Sequence, residues 1–189
     1  MSLKRNTAWN LLGTGTPLLV AAVAIPFIIR MAGVEAFGVL TLIWALIGYF
    51  SLFDLGLGRA LTQRIAAELT KGETDEIAAL AKTGLLFMAV MGTIGGLILA
   101  FFADLLSTRW LQVSEALQED TFRALLIASV GIALTTLTSG LRGVLEAYED
   151  FKAINLYRVV LGVANFGLPA LTVAWIATSI SWRVARRVA

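Results

Sequence analysis

Two arginines stand at the ends of polar stripes in otherwise apolar sequence, and their side chains are suited to binding an anion. Arg142 follows Thr135 by seven residues, and Arg158 precedes Asn165 by seven and Thr172 by fourteen. These intervals put the members of each stripe on one face of a helix. A guanidinium group binds phosphate or carboxylate through forked, charge-assisted hydrogen bonds. The stripes therefore indicate a ligand with an anionic end.

Each stripe also has a structural explanation. Arginines at helix ends can extend to the lipid headgroups and only orient the helix. Small residues at helical spacing, such as Gly131 before Thr135 and the pair Gly92 and Gly96, allow helices to pack closely. The binding hypothesis depends on the coincidence of Arg142 and Arg158 with polar stripes, which headgroup contact alone does not require.

A further charged group occurs in Asp54-Leu55-Gly56-Leu57-Gly58-Arg59. A carboxylate within the hydrocarbon costs roughly 2.5 to 3.5 kcal/mol on insertion scales. Asp54 is therefore expected at the inner boundary of the membrane or in an ion pair, with Arg59 as one partner. A structural pair explains this position more simply than a role in proton coupling. The glycines lack the third member of a dinucleotide fingerprint.

Composition excludes several kinds of catalytic site. The chain contains neither His nor Cys, which removes Ser-His-Asp and Cys-His nucleophiles, the usual zinc sites and disulfides. No catalytic residue, metal or cofactor is expected. A membrane glycosyltransferase or ligase would have to use Glu115, Glu119 and Asp120, but a solvated acidic lid over residues 104–123 explains that cluster better.

The positions of the charges predict the elements that hold these residues. The chain has 15 basic and 13 acidic residues, and long segments between them are free of charge. Such segments are long enough to cross a bilayer as helices. The sequence thus predicts an all-α integral membrane protein with one transmembrane lobe over residues 1–182 and a basic tail over 183–189. The predicted spans are 8–29, 36–54, 83–103, 124–141 and 159–182.

The distribution of Lys and Arg predicts the orientation, because short cytoplasmic loops carry the excess of these residues. Nine of the twelve before the tail fall on the side of the N-terminus, so a cytoplasmic N-terminus is expected. The basic composition then reflects topology, and nucleic acid is not expected as a partner. Between the second and third spans, Leu61, Ile65 and Leu69 predict an amphipathic helix at the membrane surface or continuing the second span, with Gly72 ending it.

Several short motifs together resemble the N-terminal part of the polysaccharide flippases. These proteins export lipid carriers of O-antigen and exopolysaccharide and are related to the MATE drug exporters. The residues that carry the resemblance are Asn10, Gly33-Val34-Glu35-Ala36-Phe37-Gly38, Asp54-Leu55-Gly56-Leu57-Gly58-Arg59-Ala60-Leu61, Gly143-Val144-Leu145-Glu146-Ala147 and Asn155-Leu156-Tyr157-Arg158.

The resemblance implies a multi-pass protein of the bacterial inner membrane that moves an oligosaccharide, linked through pyrophosphate to a polyprenyl lipid, from the inner to the outer leaflet. Membrane lipids and this lipid-linked oligosaccharide would be its partners. Arg142 and Arg158 would attract the pyrophosphate. Asn165, Thr172 and Thr135 would offer hydrogen bonds to the sugars.

The chain also departs from that family. Such transporters resemble two lobes of about six helices with the site between them, whereas five spans are predicted here. The expected fold is thus an incomplete N-terminal lobe of a MATE-like transporter, which would need a second half-transporter or another copy. The alternatives are a noncatalytic membrane subunit of a polysaccharide-assembly complex, packing through the Gly92/Gly96 and Gly131/Thr135 faces, and a relative of the multidrug exporters.

Overall fold

The computed structural model describes residues 3–50, 56–72 and 75–188, and the surroundings of side chains in 11–49, 56–72 and 75–176. Nearly all of these residues are helical and none lies in a strand, which confirms the all-α prediction. The elements are α1 (Leu3–Ala32), α2 (Val34–Phe50), α3 (Leu57–Lys71), α4 (Ile77–Leu105), a π-helical turn (Leu106–Trp110), α5 (Glu115–Ala147) and α6 (Phe151–Val188).

Within the described residues, four helices are long and apolar enough to cross a membrane, and a fifth apolar helix is shorter. The four segments are Leu11–Ala32, Ile77–Trp110, Glu115–Ala147 and Phe151–Ile176, and the shorter one is Val34–Tyr49. The chain is therefore a multi-pass membrane protein. Its helices extend beyond the predicted spans, because an α-helix can carry charged residues such as Lys82 once it leaves the hydrocarbon. The division into a lobe and a basic tail stays a prediction.

Left-handed glycines separate the first elements. Gly33 has φ 89° between α1 and α2, and α3 lies between Gly56 at φ 77° and Gly72 at φ 79°. The backbone N–H of Gly72 bonds to the carbonyls of Glu68 and Leu69, which closes the helix. Glycine adopts this conformation without the steric cost that other residues incur. The predicted amphipathic helix and its end at Gly72 are confirmed.

The connection between α4 and α5 is shorter than the predicted lid over residues 104–123. Only Leu111–Ser114 lies outside helices. The Ser107 and Thr108 hydroxyls both donate to the Asp104 carbonyl, at 3.0 and 2.8 Å, and the following residues continue as the π-helical turn. The helices extend into the region predicted as a lid, because hydrogen bonding continues past the charged residues that set the predicted boundaries.

The residues form two compact units. In the unit comprising Val39–Asp150, α4 and α5 pack closely along Gly92 and Gly96. A Cβ atom on Gly92 would lie 2.9 Å from Cβ of Thr136, and one on Gly96 would overlap the Ser129 carbonyl oxygen. The apolar core of this unit gathers Ile43, Leu99, Ala103, Leu125, Ala128 and Ile132.

The other unit pairs α1 with α6. Gly13 accommodates the side chain of Asn155, which is buried, and Gly162 accommodates the ring of Pro17. A Cβ atom on either glycine would overlap its neighbour. Small residues thus set the close approach of the two helices, as in other membrane helix pairs.

Candidate functional site

A polar cavity of about 340 Å³ lies between α3 and the C-terminal half of α5. Both helices belong to the unit comprising Val39–Asp150. Two arginines and several hydrogen-bonding side chains face it. Its lining residues are Gly56, Gly58, Arg59, Thr62, Gln63, Ser139, Arg142, Gly143 and Glu146.

A close crossing of α3 and α5 forms one wall of this polar cavity. The Thr62 Oγ1 atom lies 2.9 Å from the carbonyl oxygens of both Gly58 and Gly143, so one hydroxyl donor joins the two helices. A Cβ atom on Gly143 would lie 2.8 Å from both the Gly58 carbonyl oxygen and Thr62 Oγ1. The crossing therefore requires glycine at 143. It also fixes the backbone positions from which the Arg59 and Arg142 side chains extend.

The charged groups give the polar cavity an excess of positive charge. Arg142 donates from Nε to Oε1 of Glu146 at 2.8 Å, with 43% and 36% of the two side chains exposed. Arg59 is exposed at the same cavity. Two guanidinium groups face one carboxylate, which leaves one net positive charge. This arrangement suits a phosphate or pyrophosphate group, to which arginine donates in forked geometry.

The hydroxyl and amide groups in the polar cavity were missed at the sequence level. Gln63 and Ser139 line it beside the arginines. Helical spacing could have found both, because Gln63 follows Arg59 by four residues and Ser139 follows Thr135 by four. Each can donate to an anion or to a sugar hydroxyl. Together with the arginines, they provide neutral as well as charged hydrogen-bond donors.

Thr135, predicted on the same stripe as Arg142, lies outside the residues that line the polar cavity. Its side chain is exposed on α5, and Oγ1 donates to the Gly131 carbonyl at 2.7 Å. The hydroxyl proton is thus used within the helix, while the oxygen lone pairs remain available to accept.

Arg158, Asn165 and Thr172 lie on α6, in the unit that pairs α1 with α6. Arg158 is half-buried, and Asn165 and Thr172 are exposed. Thr172 Oγ1 lies 3.1 Å from the Leu168 carbonyl and 2.8 Å from the Pro169 carbonyl. Because proline has no backbone N–H, the Asn165 carbonyl receives no helical bond from Pro169. This face of α6 therefore offers a backbone carbonyl acceptor as well as the side-chain amide of Asn165.

Two other sequence predictions concern charged residues. Asp54 lies outside the described residues, so its ion pair with Arg59 stays a prediction. In 56–72 and 75–176 no cluster of three acidic, His or Cys side chains could hold a metal ion. Glu115, Glu119 and Asp120 are exposed on the first turns of α5, and Glu119 pairs with Arg123 at 2.9 Å. The negative charges there complement the helix N-terminus.

The packing of α4 bears on the alternative of a noncatalytic subunit. The Gly92/Gly96 face, which that hypothesis assigned to a partner protein, is covered by Ser129, Ala133 and Thr136 of α5 in the same chain. It is therefore not available as an external docking face.

Comparison with known proteins identifies the family of the chain. A family model described as polysaccharide biosynthesis protein matches residues 3–180. The chain belongs to this family. This match confirms the family that the sequence motifs resemble. No solved structure matches the chain significantly.

Two curated relatives of this polysaccharide biosynthesis family member are informative. It is 30% identical over 178 residues to a Shigella flexneri protein assigned as an O-antigen transporter, with 94% of this chain and 42% of the relative covered. It is 32% identical over 120 residues to the uncharacterized membrane protein EpsK of Bacillus subtilis, with 61% of this chain and 23% of EpsK covered. The chain therefore spans less than half the length of either relative.

Proposed function

We propose that the chain contributes one lobe of a transporter for a polyprenyl-pyrophosphate-linked oligosaccharide, and that the polar cavity between α3 and α5 receives the pyrophosphate. The observation that carries this proposal is the presence of Arg59 and Arg142 in one polar cavity of about 340 Å³. The Shigella relative's assignment as an O-antigen transporter supports a saccharide cargo. The proposal assigns no catalytic step to the chain.

The direction of transport follows from the proposed topology. With the N-terminus in the cytoplasm of a bacterial inner membrane, Arg59 and Arg142 lie at the inner ends of their segments, where the lipid-linked substrate is collected. We propose Arg158 on α6 as a further cation for the pyrophosphate, and Asn165 and Thr172 on the same helix as hydrogen-bonding groups for the sugars. Thr135 on α5 is a further candidate for the sugars.

The proposal also includes a second lobe. Transporters built from paired repeats place their substrate between two lobes and alternate access by moving one against the other. This chain covers 42% of the Shigella relative. We therefore propose that this chain forms one of the two lobes and that the substrate binds against the other.

Binding of a short polyprenyl pyrophosphate to the purified chain in lipid nanodiscs tests the anion site. Arg142→Gln is expected to weaken binding at least tenfold, because a hydrogen bond to a charged group contributes about 1.5 to 3 kcal/mol. Arg142→Lys should recover only part of the affinity, since an ammonium lacks the forked geometry.

Arg64→Gln is the matched control for these variants. Arg64 is an exposed arginine on α3, pairs with Glu68 at 3.7 Å and does not line the polar cavity. The control should bind like the original chain. Equal affinity of Arg142→Gln and Arg64→Gln, with unchanged thermal stability of both, would remove Arg142 from substrate binding.

A further inference from the structure

A second cavity lies at the C-terminal end of α4, in the same unit as the polar cavity but formed by other residues. Its volume is about 260 Å³, and all of its lining side chains are aliphatic or aromatic. Water is not stable in a cavity of this chemistry, whereas a hydrocarbon chain is. The residues of this apolar cavity are Leu46, Ile98, Leu99, Phe102, Leu105, Leu106 and Trp110.

The π-helical turn shapes one side of the apolar cavity. The Leu111 N–H donates to the Leu106 carbonyl at 3.0 Å, the i to i+5 bond of a π turn. Ser107 and Thr108 hold the start of the turn through the Asp104 carbonyl. Leu106 and Trp110, at the two ends of the turn, both line the cavity. Such turns are frequent at functional sites.

A cation lies in the same turn. Arg109 is exposed next to Trp110, whose side chain is 70% exposed. Among the described residues, no carboxylate forms an ion pair with Arg109. Tryptophan side chains concentrate at the headgroup level of membranes, and arginine binds phosphate oxygens well. An apolar cavity, an interfacial aromatic side chain and a positive charge thus occur together at this turn.

We propose that the apolar cavity holds one acyl chain of an anionic phospholipid and that Arg109 binds its phosphate group. The charge of Arg109 selects an anionic headgroup, and a cavity on a membrane-spanning segment is filled from the surrounding lipid. The volume lies below the roughly 300 Å³ at which small-molecule pockets begin, so it accommodates part of a single chain. This lipid site does not depend on the proposed function, which uses the cavity between α3 and α5.

Fluorescence quenching in lipid vesicles tests the lipid site. Trp110 is kept as the only tryptophan, the other four being replaced by Phe, and brominated phosphatidylglycerol is compared with brominated phosphatidylcholine at equal mole fraction. We expect about fivefold stronger association of the anionic lipid, the effect of one cation near the membrane surface. Arg109→Gln should abolish this preference. Leu46→Phe, which fills the apolar cavity, should reduce quenching by both lipids.

Arg123→Gln is the matched control, because Arg123 is an exposed arginine near the start of α5 that pairs with Glu119 and does not border the apolar cavity. It should retain the preference. Equal quenching by the two lipids, or a preference that survives Arg109→Gln, would overturn the proposal. Displacement by a polyprenyl phosphate at a mole fraction where phosphatidylglycerol has no effect would instead assign the site to the carrier lipid.

A second measurement covers the case in which the single-tryptophan chain does not fold. In the original sequence, the quenching that distinguishes phosphatidylglycerol from phosphatidylcholine should disappear on Trp110→Phe. Its persistence in that variant would also overturn the proposal.

Discussion

Arg142 and Glu146 are joined across one helical turn of α5 by a 2.8 Å bond from Nε to Oε1 at the edge of the polar cavity. The carboxylate already occupies part of the donor fork that an incoming phosphate would use. Both side chains are partly exposed, so the pair contributes at most about 1 kcal/mol and is readily exchanged. An anion bound in the polar cavity would therefore compete with Glu146 for Arg142.

Replacing Glu146 by Gln is expected to tighten binding of a polyprenyl pyrophosphate. The change removes the competing negative charge, and an exposed pair of up to about 1 kcal/mol corresponds to a gain of roughly two- to fivefold. Isothermal titration of the chain in nanodiscs measures the affinity. Glu149→Gln is the control, because Glu149 is exposed and lies outside the polar cavity. Unchanged affinity of Glu146→Gln would show that this carboxylate does not compete.

Gly143→Ala is expected to separate α3 from α5. The new methyl group would lie 2.8 Å from the Gly58 carbonyl and from Thr62 Oγ1, and such overpacking costs about 1 to 3 kcal/mol. The midpoint temperature of thermal unfolding should fall by several degrees, and the affinity for pyrophosphate should weaken. Gly131→Ala on the same helix meets only Ile47 at 3.8 Å and should be tolerated. Equal stability of the two variants would contradict the tight crossing.

Gly162→Ala is expected to disrupt the pairing of α1 with α6. Its methyl group would overlap the Pro17 ring, whereas the methyl group of Gly167→Ala would meet only Val163 at 3.9 Å. Both variants replace glycine by alanine within α6, so helix propensity changes equally. Thermal unfolding in detergent should show a lower midpoint for Gly162→Ala alone. A shared midpoint would argue against close packing at Gly162.

The orientation of the chain can be measured with single cysteines, because the sequence contains none. Thr70→Cys on α3 and Glu119→Cys on α5 place exposed thiols in two connections that the topology assigns to opposite sides. In intact bacterial spheroplasts, a membrane-impermeant maleimide should label position 119 and not position 70. Both should react after permeabilisation. The reverse pattern in intact cells would place the N-terminus outside.

Neighbouring cysteines on α6 test whether its polar face meets water. Thr172→Cys and Leu171→Cys lie at nearly the same depth, and both original side chains are exposed. Leu171 lines an apolar groove between α1 and α6. A water-soluble thiol reagent should modify position 172 several times faster than position 171 if Thr172 faces a transport path. Equal, slow labelling would indicate that this face contacts lipid or protein.

The helices were predictable from the sequence where they depend on the local pattern of charged and apolar residues. Charge-free segments located the membrane helices, and the spacing of Leu61, Ile65 and Leu69 located α3. Helix ends were harder, because hydrogen bonding continues past the first charged residue. The turn after Asp104 depends on hydroxyls of Ser107 and Thr108 that bond the backbone, a detail that hydropathy does not contain.

The candidate site was predictable only in part. Sequence reasoning selected Arg142 for binding an anion and Arg59 only as a partner of Asp54. It did not predict that the two side chains line one cavity, because this depends on where α3 crosses α5 at Gly58 and Gly143. That contact joins residues far apart in the chain, and no local pattern encodes it.

The pairing of α1 with α6 has a consequence for biosynthesis. α1 ends at Ala32 and α6 begins at Phe151, so the ribosome makes the first helix long before its partner exists. At about 5 to 20 residues per second, the delay is on the order of ten seconds. During that interval Gly13 and Pro17 lie without Asn155 and Gly162, the α6 residues that later pack against them. The intervening unit can assemble first, and α6 then packs against a helix that was inserted at the outset.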